Sequence, residues 1–482
     1  MTPDRSTAVR QYNTHAELLA RDVSVVATQR TPALDAIVVP ASRPAANLRH
    51  AITLAVDIGC QLILLCSRRT RVSEVSQMLA NCSPTQASVI ELPRGYSHEW
   101  FDFYTSRWAR RWLPKPCGAR DTDLSVKRNL GLMIARMRGW ERLLFLDDDI
   151  TGFDAAAVRY TASMLDRYDA VGTLVTDFPD NSVVCHAHRA TGGRQDVLVS
   201  GSVLAVDCTA PISFFPDIYN EDWLFFYNNV VNQSLGCSGL SASQLCYDPF
   251  ADPRRAARQE FGDVLAEGLY ALLHDGRYRY DTGDYWSHFL AARRTFLDAI
   301  IDRVESAEEE KRPKIRAAVE TARYCLDKIR PYHCEEYIAL WKDDLNRWDQ
   351  RVREIPAAPT IAAALQHLGL AEAPVGATAS DRPSMLDMHV SAPPARATTS
   401  DTPALSGYAV TSSALPGPDV TTDSARECAP VQELLPASPI LPAARSSRAS
   451  LTTASRLVSL PANFVQLCAG GIAALLRRLI AP

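Results

Sequence analysis

The chain has 482 residues, a formal net charge of −4 and a sequence pI near 6.2. That balance speaks against a broad nucleic-acid-binding surface, because neutralising phosphates usually leaves a strong excess of Lys and Arg. Two or three domains are allowed by length, but only if the composition is globular throughout, and here it is not: between Ile355 and Ser455 the only aromatic ring is Tyr408.

The N-terminus, MTPDRSTAVRQYNTHAELLARD, lacks the continuous apolar stretch of a secretory signal. Residues 1–30 read as an extension. The first buried strand is Ala36-Ile37-Val38-Val39, followed by Pro40-Ala41-Ser42-Arg43-Pro44 and a helical stretch from Asn47 to about Ile58. A second strand, Leu62 to Cys66, ends in the loop Ser67-Arg68-Arg69-Thr70; a helix from Val72 to Leu79 and a third strand, Ser88 to Leu92, come next. Short apolar strands alternating with helices predict parallel βαβ units, whose ligands bind at the carboxyl ends of the strands. The segment from Arg94 to Thr122 interleaves Tyr96, Trp100, Trp108 and Trp112 with Arg107, Arg110 and Arg111. It reads either as an amphipathic helix packing its rings on the sheet or as an acceptor-binding lid.

A helix carrying Lys127-Arg128-Asn129-Leu130-Gly131-Leu132 then leads to the strand Leu143 to Leu146, which runs into Asp147-Asp148-Asp149. Three consecutive carboxylates at the end of a buried strand repel one another and resist desolvation unless positive charge sits among them. A hard divalent cation, Mg2+ or Mn2+, is the simplest such charge, since these ions take carboxylate oxygens and complete their shells with water and substrate phosphates. The competing reading is a solvated loop in which Asp149 caps a helical turn at Thr151 to Asp154.

KRNLGL followed by GWERLLFLDDDI resembles the central segment of the GT-A-fold glycosyltransferases, broadly of the family 2 type, over about Ala36 to Trp223. The resemblance implies a Rossmann-like, mixed but mainly parallel sheet flanked by helices. It also implies transfer of a sugar, a hexose by this expectation, from a nucleoside-diphosphate sugar. By it, Asp147 lies near the donor's ribose or a metal-bound water, Asp149 ligates the metal bridging the diphosphate, and Asp148 is the variable middle position of a donor-binding set. Lys127 and Arg128 match the family's basic position before that strand and would meet phosphates, the alternative being solvent exposure on a helix face. Asn129 would reach the base or ribose, and Pro40, Ser42 and Arg43 resemble the first-strand loop that holds the base.

Later strands are expected at Ala170 to Thr176 and Val197 to Val206, near the small-residue step Ser200-Gly201-Ser202. His186 and His188 alternate on an expected strand and would face one side, as an exposed edge pair or a weak metal pair. Glu221-Asp222 matches the acid pair of the resembled family, in which the second acid is the general base; the plain alternative is a helix N-terminal pair favoured by the macrodipole. With Asp222 as base an inverting outcome follows, although retaining enzymes share the fold. His274, after the helical run Gly262 to Leu273, or His288 is the expected late metal ligand. Phe289, Phe296, Leu297, Ile300 and Val304 recur at helical spacing.

The domain plan is therefore an extension (1–30), a catalytic domain (31–250), a helical extension (251–352), a disordered Ala/Pro/Ser/Thr-rich linker (353–455) and a short apolar segment (456–482). That last segment ends in Leu475-Leu476-Arg477-Arg478-Leu479-Ile480, which suits docking on protein or peripheral contact with an anionic lipid surface. The twelve cysteines show no paired metal-site spacing and read as reduced thiols. With no apolar run of about 18 residues, a cytoplasmic protein is expected. The acceptor, whether small molecule, glycan or lipid-linked, is not specified by these motifs, and nucleic acid is not an expected partner. Two competing functions stand beside transfer. A sugar-phosphate nucleotidyltransferase lacks its glycine-rich basic loop at PASRPAANL, and an inert binding or scaffold protein has no evident need of the acids.

Overall fold

In a computed structural model the described residues are 11–20, 33–80, 86–113, 115, 117, 122–179, 181–196, 198–276 and 283–374. Residues 1–428 make one compact unit, to which all of these belong, and 429–482 a second. The elements are β1 (Ala36–Ala41), α1 (Arg49–Ile58), β2 (Gln61–Cys66), α2 (Val72–Ala80), β3 (Ala87–Glu91), α3 (Tyr104–Trp112) and α4 (Leu124–Arg138). There follow β4 (Arg142–Leu146), β5 (Ile150–Thr151), α5 (Ala155–Ser163), β6 (Ala170–Val175), α6 (Val183–Ala190), β7 (Ser200–Asp207), α7 (Glu221–Val231) and β8 (Leu235–Gln244). Five helices close the described chain: α8 (Arg254–His274), α9 (Gly283–Asp302), α10 (Arg312–Leu326), α11 (Pro331–Glu354) and α12 (Ile361–His367).

The strands form one eight-stranded mixed sheet in the order β3-β2-β1-β4-β7-β6-β8-β5. β1 to β4 are parallel neighbours where they pair, whereas β7 runs antiparallel to β4 and β6. Alternation along the central strands splits the core in two. Val38, Ile63 and Phe145 face the side covered by α4, α7, α8 and the later helices, while Ile37, Leu64 and Leu144 face α1 and α5. The expected mixed sheet flanked by helices is therefore present.

The strand order reverses between β1 and β4, the place where open α/β sheets hold ligands. Their pairing ends at Val38↔Phe145, two residues before Pro40, whose nitrogen has no hydrogen to give to a ladder. Beyond that point the two strands part from each other, β1 running on beside β2 to Ala41 and β4 beside β7 to Leu146, and the antiparallel β7 brings Ser200-Gly201-Ser202 to the same edge. α4 lies tight against this region because Gly131 has no side chain: a Cβ there would come within 2.9 Å of both Phe145 and Val38.

Several expectations change. The region of His186 and His188 is helix α6, not strand, because Ser182 caps it by accepting from the Cys185 amide at 3.2 Å. Two residues apart on a helix, the two rings diverge. The aromatic segment packs on another helix rather than on the sheet. Buried Asp344 of α11 caps α3 by accepting from the amides of Tyr104 (2.8 Å) and Thr105 (2.9 Å), and Trp108 lies edge-on to Tyr337. The first part of the expected disordered linker is folded. Thr360 caps α12, Leu365 and Leu368 are buried, Ala373 donates to Val89 of the edge strand β3, and the Ala358 amide donates to Met137. The rest of that linker, and segment 456–482, lie outside the described residues. Cys117 and Cys325 form a disulfide across 208 positions, which replaces the expectation of thiols throughout. Among the described residues no helix is long and apolar enough to cross a membrane.

Candidate functional site

A cleft of about 820 Å³ opens at the switch point, within the usual range for ligand pockets of roughly 300–1,000 Å3. Its lining includes Pro40, Ser42, Arg43, Arg128, Asp147, Asp148, Asp149, Glu221 and Asp222. The structure thus brings together most of the residues singled out from the sequence, although they come from β1, α4, β4 and α7.

Asp148 ties the β1 loop to the β4 end. Its Oδ2 accepts from the amides of Ser42 (2.6 Å) and Arg43 (2.8 Å), and its Oδ1 meets the Arg43 guanidinium. The same guanidinium reaches Asp149 Oδ2 at 2.6 Å, an oxygen that also accepts from Gln244 Nε2 at 3.1 Å. The cap of the following helix α5 is Asp154, which accepts from the Ala157 amide at 2.8 Å, and not Asp149. Burial works against the Arg43 charge, but attraction to Asp149 and Asp148 outweighs it and raises the pKa.

The three residues of α4 part company. Lys127 is buried and donates to the Ala41 carbonyl and Ser67 Oγ, each at 2.7 Å, and pairs with Asp123 at 3.1 Å. It latches the β1 and β2 loops together rather than facing phosphate or solvent, and burial lowers its pKa despite Asp123. Asn129 is spent on the backbone of Phe215, donating to its carbonyl and accepting from its amide at 2.8 Å each, so the expected base or ribose contact is not the one it makes. Arg128 is the charge hub of the cleft floor. It donates to Glu221 Oε1 at 2.9 Å, to both oxygens of Asp147 at 3.0 and 3.1 Å, and to the Gly201 carbonyl at 3.0 Å. Burial opposes its charge, yet Asp147, Glu221 and Asp222 raise its pKa well above the ordinary value.

Asn220, in the left-handed region at φ 60, turns the chain into α7 and donates to Asp263 at 3.0 Å. Glu221 is thereby buried on Arg128, while Asp222, half-buried, accepts from the Gly201 amide at 3.0 Å. Gly201 is the residue that lets the acids gather: a Cβ there would lie 2.8 Å from the Asp222 Cβ and 2.9 Å from Arg128 Nη1.

The expected late metal ligand is not brought to this set. His274 lies about two turns beyond cleft-lining Glu267 on α8, with Nε2 3.0 Å from His15 Nδ1 and its ring stacked on Tyr12. His15 in turn faces Glu267 at 3.2 Å. His288 is exposed on α9. Among the described residues, no group of three or more His, Cys, Asp or Glu side chains is arranged to hold a metal ion. The donor chemistry nonetheless suits a hard cation, because hard carboxylate oxygens end the strand and a guanidinium is drawn between two of them.

Sequence reasoning missed the far wall. Gln244, Tyr247 and Arg255 line the cleft, with Arg255 over the Tyr247 ring at 4.3 Å and donating to its hydroxyl at 3.0 Å. No motif marked them; only the turn into α8 places them together. A second cavity of about 410 Å³ is bordered by Tyr96, Phe101, Phe103 and Arg110, so the aromatic segment lines this smaller hollow instead of the main cleft. No protein-family model matches this chain, and no curated protein matches it.

Proposed function

We propose that the chain is a GT-A-like glycosyltransferase that binds a nucleoside-diphosphate sugar in the cleft and transfers the sugar to an acceptor hydroxyl. One observation carries the reading: three acids leave β4 at the switch point, and an acid pair from α7 is gathered beside them across a glycine. The nucleoside lies along the Pro40 to Arg43 loop and the diphosphate beside Asp147 to Asp149. A divalent cation, Mn2+ or Mg2+, would be held through Asp149 with Asp147 nearby, and would neutralise charge on the departing diphosphate.

Asp222 accepts the acceptor's hydroxyl proton. The acceptor oxygen then bonds to the anomeric carbon as the bond to the diphosphate breaks, and the electron pair leaves with the nucleoside diphosphate. A single displacement of this kind inverts the anomeric configuration. Arg128 pairs with Asp147 and Glu221 and holds both in place, which preorganises the floor of the cleft. The competing scaffold reading draws on the same geometry, since the acids 147–149 already face guanidinium groups.

A thermal-shift panel of nucleoside diphosphates and nucleotide sugars, with and without Mn2+, separates the two. The transferase reading predicts stabilisation by one nucleotide that needs Mn2+ and is lost in Asp149→Ala. Stabilisation by no member of the panel would leave the scaffold reading in its place.

A further inference from the structure

We propose that Arg43 is an exchangeable counter-ion: its guanidinium holds Asp148 and Asp149 in the ligand-free protein and gives up Asp149 when a divalent cation arrives. The inference rests on the glycosyltransferase reading and adds to it a coupling between cation and donor.

Three features of the site support exchange. First, the guanidinium spans two carboxylates whose side chains are 1% and 3% exposed, yet is itself 36% exposed toward the cleft. A cation held through Asp149 would compete with this side chain for that carboxylate, and the side chain has open space to enter. Second, its departure strips neither acid of hydrogen bonds. Asp148 keeps the Ser42 and Arg43 amides, and Asp149 keeps Gln244 Nε2. The loop stays in place because Asp148 also accepts from the backbone amides of Ser42 and Arg43, and because Thr70 Oγ1 donates to the Arg43 carbonyl. Third, an arginine displaced into a cleft that receives a diphosphate meets phosphate oxygens, for which its planar fork is suited.

Linkage follows. In the absence of nucleotide the cation must displace an ion pair with no compensating anion, so it binds weakly; the nucleotide supplies that anion and strengthens cation binding. Arg43 thus acts as a positioning residue that delays metal loading until the donor is present.

The test is Mn2+ binding to the purified full-length chain without nucleotide, read from the loss of the free-Mn2+ electron paramagnetic resonance signal. Wild type is compared with Arg43→Gln, Arg43→Lys and the double variant Arg43→Gln/Asp149→Asn, each checked for folding by its melting curve. Exchange predicts that Arg43→Gln binds Mn2+ roughly tenfold or more tightly than wild type, that Arg43→Lys lies between, and that Asp149→Asn cancels the gain. Equal affinity of wild type and Arg43→Gln overturns the exchange alone if nucleotide with Mn2+ still stabilises the wild-type protein. Absence of Mn2+ binding by any variant, together with absence of that nucleotide-dependent stabilisation, overturns both exchange and donor site.

Discussion

Replacing Arg128 by methionine keeps most of its volume and removes the guanidinium that Asp147 and Glu221 share. The Arg128 and Glu221 side chains are 3% and 5% exposed, so water has little access to the acid left behind. Asp147, at 18%, is partly wetted. Breaking a buried pair by removing one partner costs about 3–5 kcal/mol, and here the larger share falls on Glu221. Urea denaturation at pH 7, followed by tryptophan fluorescence, should therefore show a loss of about that size. Glu221→Gln in the same chain should recover part of it by removing the stranded charge. Arg128→Lys should fail to substitute, because one ammonium cannot reach Asp147, Glu221 and the Gly201 carbonyl in the fork geometry used here. A loss below about 1 kcal/mol for Arg128→Met, the scale of a surface pair, would refute the hub.

Gly201→Ala pushes a methyl into Asp222 and Arg128; it should cost about 1–3 kcal/mol and weaken catalysis more than donor binding, and an unchanged melting curve and turnover would count against the close approach. Burial pushes the Glu260 carboxyl up to about 7 even though Arg293 opposes the shift. The folded protein then holds a proton that the unfolded chain releases, so this contribution is full below pH ~4.5 and is lost as pH rises toward 7. Denaturation midpoints should fall over that window, and Glu260→Gln should flatten the trend; an unaltered slope contradicts the assignment. Reducing the Cys117–Cys325 disulfide, or changing Cys325 to Ser, should lower stability by about 2–5 kcal/mol, whereas a thiol titration that finds both cysteines free before reduction would remove the cross-link from the account.

Much of the sheet was legible because its strands are continuous apolar runs and its helices carry clear periodicity, as at Leu62 to Cys66 and Leu143 to Leu146. The acids at 147–149 stand out because consecutive charges at the end of a buried strand are unusual, and those at 221–222 because they match the acid pair of the resembled family. Their partners did not, since they depend on contacts remote in sequence. Lys127 latches onto Ala41, and Asn129 onto Phe215, each 86 positions away. His186 lies on a helix although alternation over its short stretch resembles a strand, and the Ser182 cap is what distinguishes the two. Residues 355–374 were hidden by composition: a few leucines and alanines bury well against an existing edge, although such a segment could not form a core by itself.

The most direct test of transferase chemistry is release of nucleoside diphosphate from a nucleotide sugar with water as surrogate acceptor, comparing wild type with Asp222→Asn. The account predicts slow cleavage of one nucleotide sugar by wild type. It predicts a loss of at least about a hundredfold in the variant, with donor binding retained. Equal cleavage by both proteins would contradict Asp222 as base, and cleavage of no nucleotide sugar by wild type would contradict the transferase itself.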